Sequence, residues 1–456
     1  MTYLRQGRRV EFDAEEVFTT TVALINECTR DQPTGEAEAC IVVTGQAESL
    51  VLLGRRGDPI GPGVSWLDER SAGEAAEIAE HFGADAAFAV TGEPESVSTW
   101  PASKLLWVAR HDPRLRDATT HVLMLKDYIL FRFTGAVVGE LTTRGFTYLF
   151  DVPGRRYWDA MLDFCQVDRA HLPEIVPAGT DIGDVLPAVE ALLPPAASYR
   201  VNTGALDHFC AMVGTDSYRP GALSASAGTV LSLSMLPQSW TFDPSMKLSF
   251  HAGIRSDETV LFTCADSGGA SLTWWESVLG GVDFREVESV LTERDTRTAP
   301  VFLPYLTGLN PPDFNPAARG AFVDLGIEHD RFDLIFAVME GVAHLLRRNL
   351  DDLATHGHQA EEIVSAGGGT VSTFWNQLKA DTCQVELRTP REPEASCRGA
   401  AILALAASGR IGSLEDTGHL YQPEVHSYRP RASETLRTRH LAFENALHRL
   451  YGNAHG

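Results

Sequence analysis

Cysteine is scarce and unpatterned in this chain. Seven residues in 456 (Cys28, Cys40, Cys165, Cys210, Cys264, Cys383 and Cys397) are odd in number, and no two stand in a Cys-x-x-Cys pair. That spacing excludes a disulfide framework and a zinc knuckle and predicts the reduced thiols of a cytoplasmic protein. No run of eighteen apolar residues occurs, so no spanning helix and no membrane partner are expected. Met1 to Val10 carry charge but no apolar stretch, so no secretory leader is read there. Positive charge is also short: 38 Lys and Arg against 61 Asp and Glu leave a formal net charge of -23. Such a balance argues against nucleic acid and anionic membranes. It does not exclude a phosphate ligand, which backbone N–H groups and helix N-termini can hold without many cations. Three motifs are missing too: a Gly-x-x-x-x-Gly-Lys-Ser/Thr loop, a Gly-x-Gly-x-x-Gly fingerprint and a Gly-x-Ser-x-Gly elbow. Their absence disfavours the common mononucleotide, dinucleotide and hydrolase folds.

The chain does hold enough apolar residues, 44% against 22% charged, for two domains of about 200 residues each. Apolar spacing predicts helices from Ala14 to about Cys28, over 72–82 with a stop at Gly83, over Ala102–Ala109, and over 121–133 with a stop at Gly135. Ala39–Thr44 reads as a strand buried on both faces, and Ser49–Leu53 as a second strand. Pro- and Ala-rich Leu192–Ala197 is the best linker candidate of the first half. A long amphipathic helix is expected over Arg331–Thr355. Strand Ile363–Ser365, a helix to Asp381, strand Gln384–Leu387 and helix Gly399–Ala407 then alternate, as in a layered α/β domain.

Three short features could carry chemistry. Gly367-Gly368-Gly369 sits between a strand and a helix. It would let a phosphate or nucleoside approach the backbone, though such a turn can equally be a tight corner. Gly228-Thr229 lies in a small-residue strand stretch that could offer an N–H and a hydroxyl to phosphate, or simply pack closely. Asp207 follows the Gly204 turn at a helix start. It could cap that helix, or accept a proton from a substrate hydroxyl.

In order along the chain, these features resemble the FGGY carbohydrate kinase family. The resemblance is carried by Thr44-Gly45-Gln46, Trp66-Leu67-Asp68-Glu69-Arg70, Trp100-Pro101…Lys104-Leu105-Leu106-Trp107, Asp127-Tyr128 with Phe133-Thr134-Gly135, and Leu172-Pro173…Gly179. It continues through Gly204…Asp207, Gly228-Thr229, Phe302-Leu303-Pro304…Gly308, Arg319-Gly320-Ala321-Phe322, Glu340-Gly341 and Gly367…Trp375-Asn376-Gln377…Ala380-Asp381. The family implies an α/β protein of two actin-like (ribonuclease-H-like) domains with an active-site cleft between them. Here these would span 1–215 (sugar-binding) and 216–456 (ATP-binding). It implies ATP-dependent phosphorylation of a small ketose, such as xylulose or ribulose, or of a polyol, with Mg²⁺ on the phosphates. By the resemblance Asp207 is the general base. Gln46, Ala47, Glu48, Trp66 and Asp68 line the sugar site, Gly228 and Thr229 hold phosphate, and Gly269, Thr273, Gly368 and Ser372 flank the adenosine. Residues for the metal are left open, and the resemblance leaves room for a homodimer.

Two departures qualify these expectations. Ala47-Glu48 stands where xylulokinases of the family carry Met-His and glycerol kinases Arg-Glu. The substrate is therefore expected to be polyhydroxylated without being assigned to xylulose. The family's opening Asp-x-Gly-Thr hairpin has no match in the chain. This predicts a late start, a weakly active or inactive kinase and an uncovered edge on Ala39–Thr44, with a non-catalytic sugar- or nucleotide-binding relative as the alternative.

Overall fold

The computed structural model describes the chain except residues 31–34, 36, 228–230, 266–267, 307, 310–314, 316, 392–393, 415–423 and 453–456. The backbone separates into two compact units. The first holds Met1–Gly214, Ser249–Val260 and the segment that begins at Ser396. The second holds Thr215–Leu248, Leu261–Ala395 and the C-terminal helix Glu434–Tyr451. Leu192–Ala197 therefore lies inside the first unit.

In the first unit, Tyr3–Gln6 and Arg9–Phe12 form an antiparallel hairpin turned at Gly7, to which no element is assigned from the sequence. It opens a five-stranded sheet whose order continues through Gly63–Val64, Leu50–Leu53 and His121–Met124. All four residues of Leu50–Leu53 are buried. Residues 121–124, expected to be helical, are a strand instead, because they pair antiparallel with Leu50–Leu53 in the register Leu50↔Met124. The helix begins only at Leu125 and ends at Gly135, which takes the left-handed conformation. Helix Ala14–Cys28 starts where expected, since the Asp13 carboxylate accepts from the amides of Glu15 and Glu16. Its Phe18 and Val22 join Phe12, Val51, Leu53, Tyr128, Phe133 and Val201 in the core of this unit, each large side chain contributing about 1.5–3 kcal/mol of burial.

A second, three-stranded sheet runs Asp181–Asp184, Ser198–Asn202, Glu38–Val42. The last strand pairs parallel with Ser198–Asn202 from Ser198↔Glu38 to Asn202↔Val42. The expectation of burial on both faces fails there: Glu38–Val42 is an end strand with no buried residue. Among the described residues no strand covers its other edge.

The second unit is layered α/β. Ala222–Ala227 runs parallel to Glu362–Ala366, which runs parallel to Glu386–Pro390, and Val425–Tyr428 pairs antiparallel outside it. On the other side Leu231–Met235 pairs antiparallel with Ala222–Ala227 and with residues 261–265. Helix Arg331–Thr355 starts at a capping box built by Asp330 and Asp333. Its Ile335, Phe336, Met339 and Val342 meet Trp375 and Leu378 of helix Thr373–Cys383 in one core.

Candidate functional site

In the first unit the backbone brings two distant segments side by side. Gly45 forms a parallel bridge with Leu206, the amide of Asp207 donates to the Gly45 carbonyl at 3.2 Å, and Thr44 Oγ1 donates to the Ala205 carbonyl at 3.0 Å. Gln46–Glu48 and Asp207 are thus neighbours although 159 positions or more separate them in sequence. Gly204 makes the approach possible. Its φ is +57°, and a Cβ there would sit 2.3 Å from the Val43 carbonyl oxygen.

Glu48 itself has a left-handed backbone, φ 63°, a conformation that costs a non-glycine residue energy and concentrates at functional positions. Burial pushes its carboxyl well above the usual carboxylate range. The Lys104 ammonium opposes that shift and the Asp207 carboxylate adds to it. Lys104, 2% exposed, is pushed down by burial, while Glu48 and Asp68 pull it back up. Its Nζ donates to the Thr99 carbonyl. A third acid, Glu93, is 3% exposed and raised by burial and by the nearness of Glu48, against a hydrogen bond of 2.6 Å from Ser249. The His251 ring, stacked on Phe146, lies 3.2 Å from Glu93 and is held neutral by burial. The cluster is therefore a desolvated set of hydrogen-bonding groups with one ammonium among several carboxyls. Such a set suits hydroxyl ligands rather than anions.

The other expected sugar-side residues are placed as follows. Ala47 is buried, and its carbonyl accepts from the amide of Ser49, while Gln46 Nε2 donates to Ser49 Oγ at 3.1 Å. The same hydroxyl accepts from the backbone of Trp66, a residue that is 38% exposed. Asp68 is fully buried and its carboxylate is engaged. Oδ2 accepts from the Val10 amide at 2.6 Å and from Arg70 Nη2 at 2.7 Å, and Oδ1 from Arg70 Nε at 2.8 Å. Burial alone would raise its pKa, but these donors outweigh it and hold it low. Arg70 also binds Glu11 and covers the Trp107 ring. The Asp68 carboxylate thus ties Arg70 to the backbone at Val10.

The second unit contains a cavity of about 580 Å³. Its wall includes Gly269, Thr273, Gly368 and Ser372, every described residue expected to flank the nucleotide, together with Glu276, Arg285, Glu288 and Trp375. Gly228 and Thr229 lie outside the described residues. A volume of this order suits a nucleoside, and nothing lies within 4 Å of a Cβ placed on Gly368, so the loop leaves open space for a ligand. The loop is held from below: Asn376 Nδ2 donates to the Thr370 carbonyl at 2.7 Å and Lys379 Nζ to the Gly369 carbonyl at 3.4 Å. Ser372 caps helix Thr373–Cys383 through the Trp375 amide and donates its own proton to Glu288, which also accepts from the Phe374 amide. Among the described residues no group of three or more His, Cys, Asp or Glu side chains could hold a metal ion. Among them, too, no helix is long and apolar enough to cross a membrane.

Sequence reasoning missed Ser49, Glu93, His251 and Glu288. Lys104 stood inside a recognised motif without a role. No local signal marks Glu93 and His251, since only the chain's return at Ser249–Ala252 brings them together.

Residues 2–214 match the model of the FGGY family of carbohydrate kinases, N-terminal domain, and residues 280–408 that of its C-terminal domain. The xylulose kinase of Escherichia coli K12 is 26% identical over 418 residues, covering 89% of this chain and 85% of its own length. The gluconokinase of Bacillus subtilis is 24% identical over 426 residues, covering 89% and 81%. The crystal structure of a xyloylose kinase from Brucella ovis superposes with a TM-score of 0.89 at 25% identity, covering 100% of this chain and 93% of that one. Matches to both domains of one family, and alignments that span most of each relative, establish that this chain belongs to the FGGY carbohydrate kinases, enzymes that phosphorylate a sugar or polyol.

Proposed function

We propose that the chain transfers the γ-phosphoryl of ATP to a hydroxyl of a small uncharged ketose or polyol, with Asp207 as general base. The observation that carries this reading is the Gly45–Leu206 bridge, which sets Gln46–Glu48 against Asp207. The half-buried Asp207 carboxylate takes the proton of the attacking hydroxyl as the new O–P bond forms, while the bond from the γ-phosphorus to the bridging oxygen breaks and ADP leaves with that electron pair. Glu48 and Gln46 accept and donate hydrogen bonds to neighbouring hydroxyls, Trp66 offers an apolar face to the carbon skeleton, and Asp68 holds Arg70 and the strand floor. Lys104 balances the buried carboxyls. ATP would bind in the cavity walled by Gly269, Thr273, Gly368 and Ser372; by the family resemblance Gly228 and Thr229 would hold its phosphates, and Mg²⁺ would neutralise their charge. The desolvated surroundings of Glu48 favour a ligand rich in hydroxyls over a carboxylate such as gluconate, because the anion would lose its hydration there.

The test is an ADP-release assay with ATP–Mg²⁺ over D-xylulose, D-ribulose, glycerol and D-gluconate, each paired with a thermal-shift measurement. Turnover on a ketose or polyol is expected, with gluconate poor. Gluconate as the preferred acceptor would overturn the substrate assignment, and no ADP release with any acceptor would overturn the reaction.

A further inference from the structure

A fully buried polar relay stands behind the helix start that carries Asp207. Lys126 Nζ lies 3.1 Å from Glu140 Oε1, with side-chain exposures of 1% and 0%, and donates to the Thr203 carbonyl at 2.6 Å. The other Glu140 oxygen accepts from both the amide and the hydroxyl of Thr142, each at 2.7 Å. The Thr142 hydroxyl in turn accepts from the amide of Leu206 at 2.8 Å. The polarity of this chain is forced. A carboxylate can only accept, so it takes the single proton of the hydroxyl and leaves an oxygen lone pair facing the Leu206 N–H.

The neighbouring backbone groups are pinned as well. The Gly204 amide bonds Asn202 Oδ1, its carbonyl accepts from Gly179, the Ala205 carbonyl accepts from Thr44, and the Leu206 carbonyl begins the helix through Cys210. Stability alone is a poor reason for such a relay. A buried ion pair loses in desolvation much of what it gains in attraction, and an apolar filling of the same volume is often no less stable. What the relay supplies is a single permitted position for residues 203–207.

We propose that Thr142, with Glu140 and Lys126 behind it, is a positioning residue for Asp207: it fixes where the base stands relative to the acceptor hydroxyl. The inference rests on the reading of Asp207 as general base. It acts through geometry, since a misplacement of about 1 Å in such a group can cost about 10²-fold in rate.

The test compares Thr142→Val, which keeps shape and removes the hydroxyl, with Thr142→Ser, which restores it, and with Asp207→Asn. Turnover is measured on D-xylulose and glycerol with ATP–Mg²⁺, and amide hydrogen exchange of the segment 203–208 is followed in the unliganded full chain. Thr142→Val is expected to lower kcat about 10–100-fold with the KM for ATP unchanged and to speed exchange across 203–208, while Thr142→Ser recovers most of both. Wild-type kcat or unchanged local exchange in Thr142→Val overturns the proposal, as does a Ser variant as impaired as the Val variant. Wild-type turnover by Asp207→Asn overturns the base assignment itself, and is told apart because Asp207 then fails whatever Thr142 does. The exchange measurement tests the restraint on residues 203–208 independently of any acceptor.

Discussion

Two side chains of the acceptor cluster give separable predictions. Replacing Asp207 by Asn keeps volume and the helix start but removes the proton acceptor. We expect kcat to fall about 10²–10⁴-fold with ATP binding, measured by calorimetry, unchanged. Turnover within a few-fold of wild type would remove the residue from the mechanism. Glu48 differs because its carboxyl is held protonated to higher pH than an ordinary glutamate by burial and by Asp207. If the ionised form is the better acceptor of sugar hydroxyl protons, kcat/KM for the acceptor rises with pH through that raised value. Glu48→Gln should flatten the profile, and an unchanged slope would count against Glu48. Near neutral pH, where the raised pKa leaves the Glu48 carboxyl mostly protonated, Glu48→Ala should weaken acceptor binding by about 0.5–1.5 kcal/mol, the worth of a neutral hydrogen bond, with little effect on ATP. Legibility varied residue by residue here. Glu48 and Asp207 could be singled out because each stands in a short motif. Glu93 and His251 could not, because nothing in either local sequence reveals that the other is 3.2 Å away.

Elements show where local pattern suffices. Helices Ala14–Cys28 and Arg331–Thr355 have the bounds that their apolar spacing and their Asp caps imply. Strand His121–Met124 was hidden because an apolar run of this length serves either state, and its antiparallel partner Leu50–Leu53 lies some seventy residues earlier. The hairpin at residues 3–12 was missed for a like reason, since its outer neighbour is Gly63–Val64. Two helices of the second unit also depend on a buried pair. Arg439 Nε donates to Glu340 at 2.6 Å, and its Nη1 donates to the Ala299 carbonyl at 2.7 Å, with both side chains under 10% exposed. Arg439→Ala leaves the Glu340 carboxylate buried without its guanidinium, and should cost about 3–5 kcal/mol. The measurement is urea unfolding followed by tryptophan fluorescence. A loss below about 1 kcal/mol, the range of an exposed pair, would show that water reaches the site.

For the molecule as a whole, each ligand should raise the melting temperature by mass action, by about 2.7 kcal/mol of stability at a hundred times its Kd. Glu288→Ala should diminish the ATP-induced shift, because Glu288 receives the Ser372 proton at the cavity wall, and should leave the acceptor-induced shift intact. Equal loss of both shifts would mean that Glu288 serves only folding. By itself the sequence determined the α/β class, the family and the short runs that bear Gln46, Glu48, Asp207 and the Gly367–Gly369 turn. These are local patterns of apolar period, glycine and cap residues, and a dozen of them in order leave little choice of fold. Only the tertiary structure decided which side chains share one environment. It engaged the Asp68 carboxylate, expected on the sugar side, with Arg70 and the Val10 amide. It also joined Glu93 to His251 and set the Lys126–Glu140–Thr142 relay behind Leu206. Burial, desolvation and hydrogen-bond partnership are properties of the space between distant segments, and that space exists only once the chain has folded.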